Sequence, residues 1–404
     1  MVNRSDPSSA RDPRLSRTWA EIDLPRLTRN IAELHTLCHS ESALMAVVKA
    51  DAYGHGAVGI AATCAEAGVR HFGVACVDEG RALRRSGIRH DIYVLSPFLP
   101  EEADDIVHAD LVPMISSVGQ IEALARAAAG AHLPARCFLT VDTGMGREGC
   151  LPNEALSVYR RCEEENVRIT GISTHFSRAD EPGVGDAVTA EQAHRFFAFL
   201  HDVAALKPLG EWDDRRGGRG PWLTLANSPA TLRLDHGVIP VGARGFLKRC
   251  GLLIYGIEPY PGAFSGLPGL APVLSWRARV TLLRDLPAGA TIGYGQTHTL
   301  DRPSRIATLA VGYADGLSRD LSNGGVILLH GRRYPLVGRV SMDQCQVDVS
   351  SAHGDIAVGD VATLIGTDGD ESLTVSRMAE AIHTTPHQPT CALSGRVPRI
   401  IRGP

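Results

Sequence analysis

The sequence predicts an α/β fold, a (β/α)8 TIM-type barrel followed by a smaller, mostly β C-terminal domain. Three observations carry that prediction. The chain has 404 residues, beyond the usual size of one domain. Up to Tyr255, short apolar runs alternate with helical patterns, the rhythm of parallel strands joined by crossover helices. Beyond Tyr255, glycine and proline accumulate through 256–272, and β-like runs then follow one another with one helix among them. The expected division is a disordered tail at 1–16, a barrel at 17–262 and the β domain at 263–404. The first strand is a candidate to pack with the C-terminal domain.

The elements follow in order. The opening MVNRSDPSSARDPRLS has no apolar stretch of the kind a secretory signal needs, and its Ser, Pro, Asp and Arg content reads as a disordered tail. Residues 19–22 form a short strand. Asp23 is a helix N-cap, Pro25 lies just inside that helix, and Leu27, Ile31 and Leu34 recur at helical spacing. The barrel strands are expected at 43–48, 71–77, 92–95, 111–115, 136–141, 169–174, 222–226 and 252–255, with helices that include 119–129, 153–164 and 189–206. The segment 208–221, with Asp213, Asp214, Arg215, Arg216 and several glycines, is a polar surface loop. In the second domain, strands are expected at 273–283, 305–311, 325–330, 336–340, 344–349 and 361–365, and a helix at 372–382.

Composition narrows the function classes. Hydrophobic residues make up 44% and charged residues 21%, an ordinary globular balance with ample core. A formal net charge of -4 gives no reason to invoke nucleic acid or an anionic membrane surface. Nine cysteines, an odd number without a CxxC pair, read as reduced thiols of a cytoplasmic protein. No run approaches membrane-spanning length, and no metal site is expected.

The chemistry concentrates at strand ends. In ALMAVVKADAYGHG a buried parallel strand stops at Lys49, and a lysine there is costly unless it is paired or its pKa is shifted, as in Schiff-base lysines. The plainer reading is a strand-end lysine that snorkels to solvent. Tyr53 brings a phenol to the same mouth. VDTGMGREG places Asp142, two glycines and Arg147 after the fifth strand; the arginine there is able to hold a carboxylate, or is simply a surface residue on a glycine-rich turn. STHFSRAD puts His175 at the sixth strand end, as a site residue or a satisfied core histidine. In LANSPATLR, Asn227 and Ser228 cap a helix and suit a phosphate. Arg249, Gly251 and Leu252 stand at the start of the expected eighth strand, a poor fit to a barrel whose sites lie at strand ends. The second domain adds IGYGQT with Tyr294, VGYADG with Tyr313, and RVSMDQC with Arg339 and Met342.

Taken jointly and in this order, these segments resemble the motifs of alanine racemase, a pyridoxal phosphate (PLP) enzyme of fold-type III, along nearly the whole chain. The resemblance implies a homodimer with shared active sites acting on a small amino acid. It implies that Lys49 carries pyridoxal 5'-phosphate as a Schiff base and serves one face of the substrate's Cα, while Tyr294 of the other subunit serves the opposite face. It makes His175 the partner of that tyrosine and Arg249 the partner of the pyridine nitrogen. Tyr53, Ser228 and the amides of Gly251 and Leu252 would bind phosphate beside Asn227. Arg147 and Met342 would hold the substrate carboxylate, with Tyr313 lining the pocket and Arg319 and Arg339 its entrance corridor.

Two positions depart from the family. Many members have a lysine, often carboxylated, seven residues before the arginine of TGMGR, where this chain has Thr140. Members also often have a tyrosine before the C-terminal RVPR, where this chain has Gly395. The expected activity is racemisation of alanine. The alternatives are racemisation of another small amino acid such as serine, a fold-type III amino-acid decarboxylase, a non-catalytic PLP-binding protein and a Schiff-base aldolase.

Overall fold

The structure is a computed structural model that describes residues 16–38, 42–214, 218–234, 239–352 and 356–403. The tail expected at 1–16 lies outside the described residues apart from Ser16. The described residues form two compact units, one within 27–271 and one that joins 16–26 to 272–403.

β1, Thr18–Asp23, belongs to the second of these. It pairs antiparallel with Leu274–Leu286 and parallel with the last strand, Arg399–Arg402. Its end is capped as the sequence predicts, with Asp23 Oδ1 accepting from the Arg26 amide at 2.9 Å at the start of the helix Leu24–Thr36.

The barrel comprises eight parallel strands in a closed ring. They are β2 (Ser42–Val47), β3 (His71–Val74), β4 (Asp91–Val94), β5 (Val112–Ile115), β6 (Arg136–Thr140), β7 (Arg168–Ser173), β8 (Trp222–Thr224) and β9 (Gly245–Cys250). Side chains fill the interior: Met45, Tyr93, Val112, Met114, Phe138 and Leu247 form one buried cluster. Gly171 on β7 leaves space for the Phe138 ring, since a Cβ there would fall 2.2 Å from it. At the opposite end of the strands from Lys49, the Arg136 guanidinium bridges Asp91 at 3.0 Å and Asp110 at 2.8 Å. These pairs tie β6 to β4 and to the turn before β5, at the end of the barrel away from the strand carboxyl ends.

The eighth strand corrects the sequence reading. It is 245–250, whereas 252–255 is a chain of turns closed by bonds such as Ile254 N to Gly251 O. Leu252, Leu253, Ile254 and Tyr255 are apolar because they are buried, and a short apolar run does not distinguish a strand from other buried backbone. The true strand is disguised by the charges of Lys248 and Arg249. The shift also resolves the misfit noted in the sequence, because Arg249 and Gly251 now stand at a carboxyl strand end.

The boundary between units likewise falls later than the expected 262/263. Asn30 donates to the carbonyls of Ile254 and Ala271, and its Oδ1 accepts from the Ala271 amide at 2.9 Å, which ties the Gly- and Pro-rich stretch to the barrel. Within the polar segment 208–221, Asp213–Asp214 pairs with Gly218–Arg219 as a two-stranded ribbon, and 215–217 lie outside the described residues.

The other unit is mostly β. Its main sheet runs Arg332–Pro335, Val326–Leu329, Val361–Asp368, Leu274–Leu286, β1 and Arg399–Arg402. Ser304–Leu309 and Cys345–Asp348 extend it from the long strand Leu274–Leu286. The strand expected at 336–340 is absent: Leu336 makes one isolated bridge to Val347, and the chain turns at Gly338 with φ 75°. The helix Val375–Ala381 is shorter than expected because Glu371–Leu373 pairs as a strand and Thr374 caps the helix.

Candidate active site

In the barrel unit the predicted residues gather at the carboxyl ends of the strands. β2 delivers Lys49, which is half-buried. Burial, then the positive charges of Arg147 and Arg249, holds its amine below the ordinary lysine value of 10.5, against the opposing effect of Glu148 and Glu79.

Residues 50–53 then run through four consecutive left-handed conformations, with φ of 51°, 53°, 55° and 54°. Such geometry costs about 1–2 kcal/mol for each L-residue. Carboxylates hold it in place. Glu79 Oε1 accepts from the Ala50 amide and Oε2 from the Ala75 amide, each at 2.7 Å, so one side chain ties the loop after β2 to the loop after β3. Asp51 Oδ1 accepts from the Ala57 amide at 2.8 Å. The turn swings Tyr53 against Tyr255, with ring centroids 5.1 Å apart.

Tyr53 meets the phosphate candidates. A Cβ on Gly251 would lie 2.4 Å from the Tyr53 hydroxyl, so glycine alone permits this approach. The Gly251 amide donates to Ser228 Oγ at 3.1 Å. Asn227 acts as the predicted cap, its Oδ1 accepting from the Ala230 amide at 3.2 Å and its Nδ2 donating to Phe176 O. Leu252 is buried beside them.

On β9, Arg249 is 6% exposed, and acceptors at the ends of β7 and β8 hold its two terminal nitrogens. Nη1 donates to Thr224 Oγ1 at 2.5 Å; Nη2 donates to Thr174 O at 2.9 Å, Leu225 O at 3.2 Å and His175 Nδ1 at 2.9 Å. Burial pushes its pKa down to about 10, which leaves it cationic at neutral pH. An arginine has donors only, so His175 Nδ1 must accept. Burial, and then Arg249, Arg147 and Lys49, hold His175 well below the usual histidine value. The ring is therefore neutral and carries its proton on Nε2.

Arg147 sits in a loop shaped by Asp142, whose carboxylate accepts from the amides of Gly144, Met145 and Gly146 at 2.8–3.1 Å. Its guanidinium pairs with Glu148 at 2.7 Å. Thr140 offers it nothing, because that hydroxyl is buried 2.8 Å from Ser173 Oγ. Sequence reasoning passed over Glu79, Glu148, Thr174 and Thr224. Glu148 and Thr174 lie inside the quoted VDTGMGREG and STHFSRAD, whereas Glu79 and Thr224 lie in no quoted motif.

The remaining predicted residues belong to the β unit. Tyr294 is 70% exposed between Gly293 and Gly295, whose φ values are 67° and 70°. Tyr313 and Met342 are also exposed, and their segments are joined by Tyr313 N to Ser341 O and Ala314 N to Met342 O, each at 3.0 Å. Asp315 is buried; it accepts from the Gly312 amide and pairs with Arg396, which also reaches Asp343 at 2.7 Å. The GYADG, SMDQC and RVPR segments thus meet. Arg339 lies against the Tyr294 turn, where a Cβ on Gly295 would fall 2.9 Å from its Nη1. Arg319 is exposed on a short helical turn, and a Cβ at Gly395 would meet nothing within 4 Å.

The alanine racemase N-terminal domain matches residues 22–259 and the alanine racemase C-terminal domain matches residues 273–401. The chain belongs to the alanine racemase family. It is 39% identical to an alanine racemase of Symbiobacterium thermophilum over 96% of this chain and 97% of the relative. Its fold is similar to the crystal structure of alanine racemase from D-cycloserine-producing Streptomyces lavendulae, with a TM-score of 0.86, 32% identity and 98% of each chain covered. The alanine racemase of Bartonella henselae, solved with covalently bound pyridoxal phosphate, matches with a TM-score of 0.82 and 25% identity over 96% of this chain and all of that one, 100%. The closed barrel with a separate β unit is the family's architecture. Among the described residues, no helix is long and apolar enough to cross a membrane, and no group of three or more His, Cys, Asp or Glu is placed to hold a metal.

Proposed function

We propose that this chain interconverts L- and D-alanine with bound pyridoxal 5'-phosphate, using Lys49 and Tyr294 as its two bases. The observation that carries the reading is the donor set at the barrel mouth, where a Lys49 amine of lowered pKa shares the strand ends with Tyr53, Ser228, Gly251 and Arg249. These residues fit the cofactor. Lys49 would link to it, Tyr53, Ser228 and the amides of Gly251 and Leu252 would hold its phosphate beside Asn227, and Arg249 would face its ring nitrogen. When bound, pyridoxal phosphate supplies the electron withdrawal that acidifies the substrate's Cα–H.

The chain's own residues do the rest. Inversion at a carbon requires proton exchange on both faces, and a base fixed on one face cannot serve the other. An amine with a lowered pKa is more readily available as the free base than an ordinary lysine, which suits Lys49 to one face. The other face is assigned to Tyr294 of a second copy, because that phenol is exposed on its own unit. A free phenol has a pKa near ~10, and a hydrogen-bond donor favours its ionised form. Neutral His175, with its proton on Nε2, is such a donor. Arg249 donates only, so it lends no proton to the ring nitrogen. Arg147 and Met342 would hold the substrate carboxylate, with Tyr313, Arg319 and Arg339 along the approach. Nine free cysteines fit a cytoplasmic setting.

The test is L-alanine with the purified chain and pyridoxal phosphate, followed by circular dichroism and CO2 capture. Decay of the optical signal to zero without CO2 is the expected result, and Lys49→Ala should lose that decay together with the visible cofactor band. A preserved optical signal, or CO2 release, would overturn the reading.

A further inference from the structure

The barrel mouth holds three basic side chains, Lys49, Arg147 and Arg249, and its His175 is neutral. One acid faces them from the loop that carries Arg147. Glu148 Oε1 lies 2.7 Å from Arg147 Nη2, and the Glu148 side chain is 14% exposed where that of Arg147 is 50% exposed. The more buried partner is therefore the carboxylate, and the more exposed one is the arginine.

The backbone fixes Glu148 from both sides. Before it, the Asp142 carboxylate is spent on the amides of Gly144, Met145 and Gly146. After it, Gly149 takes a φ of 103° and donates its amide to Ser116 Oγ at 2.9 Å, and a Cβ there would lie 2.6 Å from the Asp142 amide nitrogen. The strand leading into the loop offers no other acid, since Thr140 is 4% exposed and bonded to Ser173.

We propose that Glu148 is a positioning residue whose carboxylate fixes the Arg147 guanidinium for the substrate carboxylate and supplies negative charge to the barrel mouth. This rests on the roles given above to Lys49 and Arg147. It has an electrostatic consequence. The charged groups acting on Lys49 are Arg147 and Arg249, which depress its pKa, and Glu148 and Glu79, which oppose them. Glu148 also opposes the depression at Arg249. Removing its charge therefore lowers the Lys49 pKa further, while removing a remote structural contact would not.

The experiment uses the full chain with pyridoxal phosphate in wild type, Glu148→Gln and Glu148→Ala. In Glu148→Gln the pH midpoint of the visible band should move down by about 1 unit, the size of effect expected from a neighbouring charge. In Glu148→Ala, added formate should raise the thermal midpoint more than it does in wild type, because a small carboxylate refills the vacated place beside Arg147. General salt effects are common to both proteins and cancel in that comparison. An unmoved midpoint in Glu148→Gln, or an equal response to formate, would overturn the proposal. A wild type with no visible band would instead overturn the cofactor reading, and the formate comparison would still decide the role of Glu148.

Discussion

A side chain that only donates decides the state of the one beside it. Arg249 Nη2 lies 2.9 Å from His175 Nδ1, so protonating His175 would set a second cation against a buried guanidinium. Burial first, and then this arginine with Arg147 and Lys49, holds the folded His175 pKa well below the ordinary 6.5, whereas the unfolded chain takes up a proton near that value. As pH falls below about 6.5, the unfolded state binds a proton that the folded state refuses, and stability falls. His175→Gln removes this contribution, so its thermal midpoint should decline less steeply than that of wild type between pH 6.5 and pH 5. Equal slopes would show that His175 titrates normally. The sequence made His175 and Arg249 legible as residue types within motifs, but not as a pair. Their contact and the acceptors Thr174 and Thr224 come from three different strands, and adjacency across a closed barrel leaves no local trace in the chain.

The element that holds Lys49 is strained and braced at once. Four successive left-handed residues oppose the preference of L-amino acids, and Glu79 ties the Ala50 amide of that turn to the Ala75 amide of the loop after β3, each at 2.7 Å. A hydrogen bond to a charged group contributes about 1.5–3 kcal/mol, and Glu79 is partly exposed, so Glu79→Ala should lower stability by about 2–4 kcal/mol. Glu79→Gln keeps one acceptor oxygen and should lose less. Urea unfolding of the three proteins measures this, and an unchanged midpoint in Glu79→Ala would show that the turn stands without its brace. Elements of this kind were the least legible part of the chain. KADAYGHG announces a turn through its glycines, but nothing in it specifies the hand of residues 50–53, because the brace comes from the next βα segment. The eighth strand failed for a related reason: its outward and site-facing charges, Lys248 and Arg249, broke the apolar pattern, while buried turns at 252–255 imitated it. The seven other barrel strands were readable because burial on both faces leaves near-continuous apolar runs.

At the scale of the molecule, the barrel unit and the β unit each hold half of the proposed machinery. The β unit leaves Tyr294, Tyr313 and Met342 exposed at 70%, 44% and 52%, on the segments that the proposed site draws from this unit. Their motifs were legible, because glycine-flanked tyrosines in a fixed order are specific. What they face was not, since neither a motif nor exposure on one chain names the surface that covers it. If each site takes Lys49 from one copy and Tyr294 from the other, lesions on separate chains should complement. Lys49→Ala and Tyr294→Phe are each expected to be inactive alone. After subunit exchange at equal amounts, half of the dimers would be mixed. Each mixed dimer would have one site bearing both lesions and one bearing neither. The mixture should therefore recover about a quarter of wild-type racemisation, as two-fold symmetry dictates. If both residues of a site came from the same copy, every site in the mixed dimer would keep one lesion, and no activity would return despite exchange demonstrated by mass spectrometry of differently tagged chains.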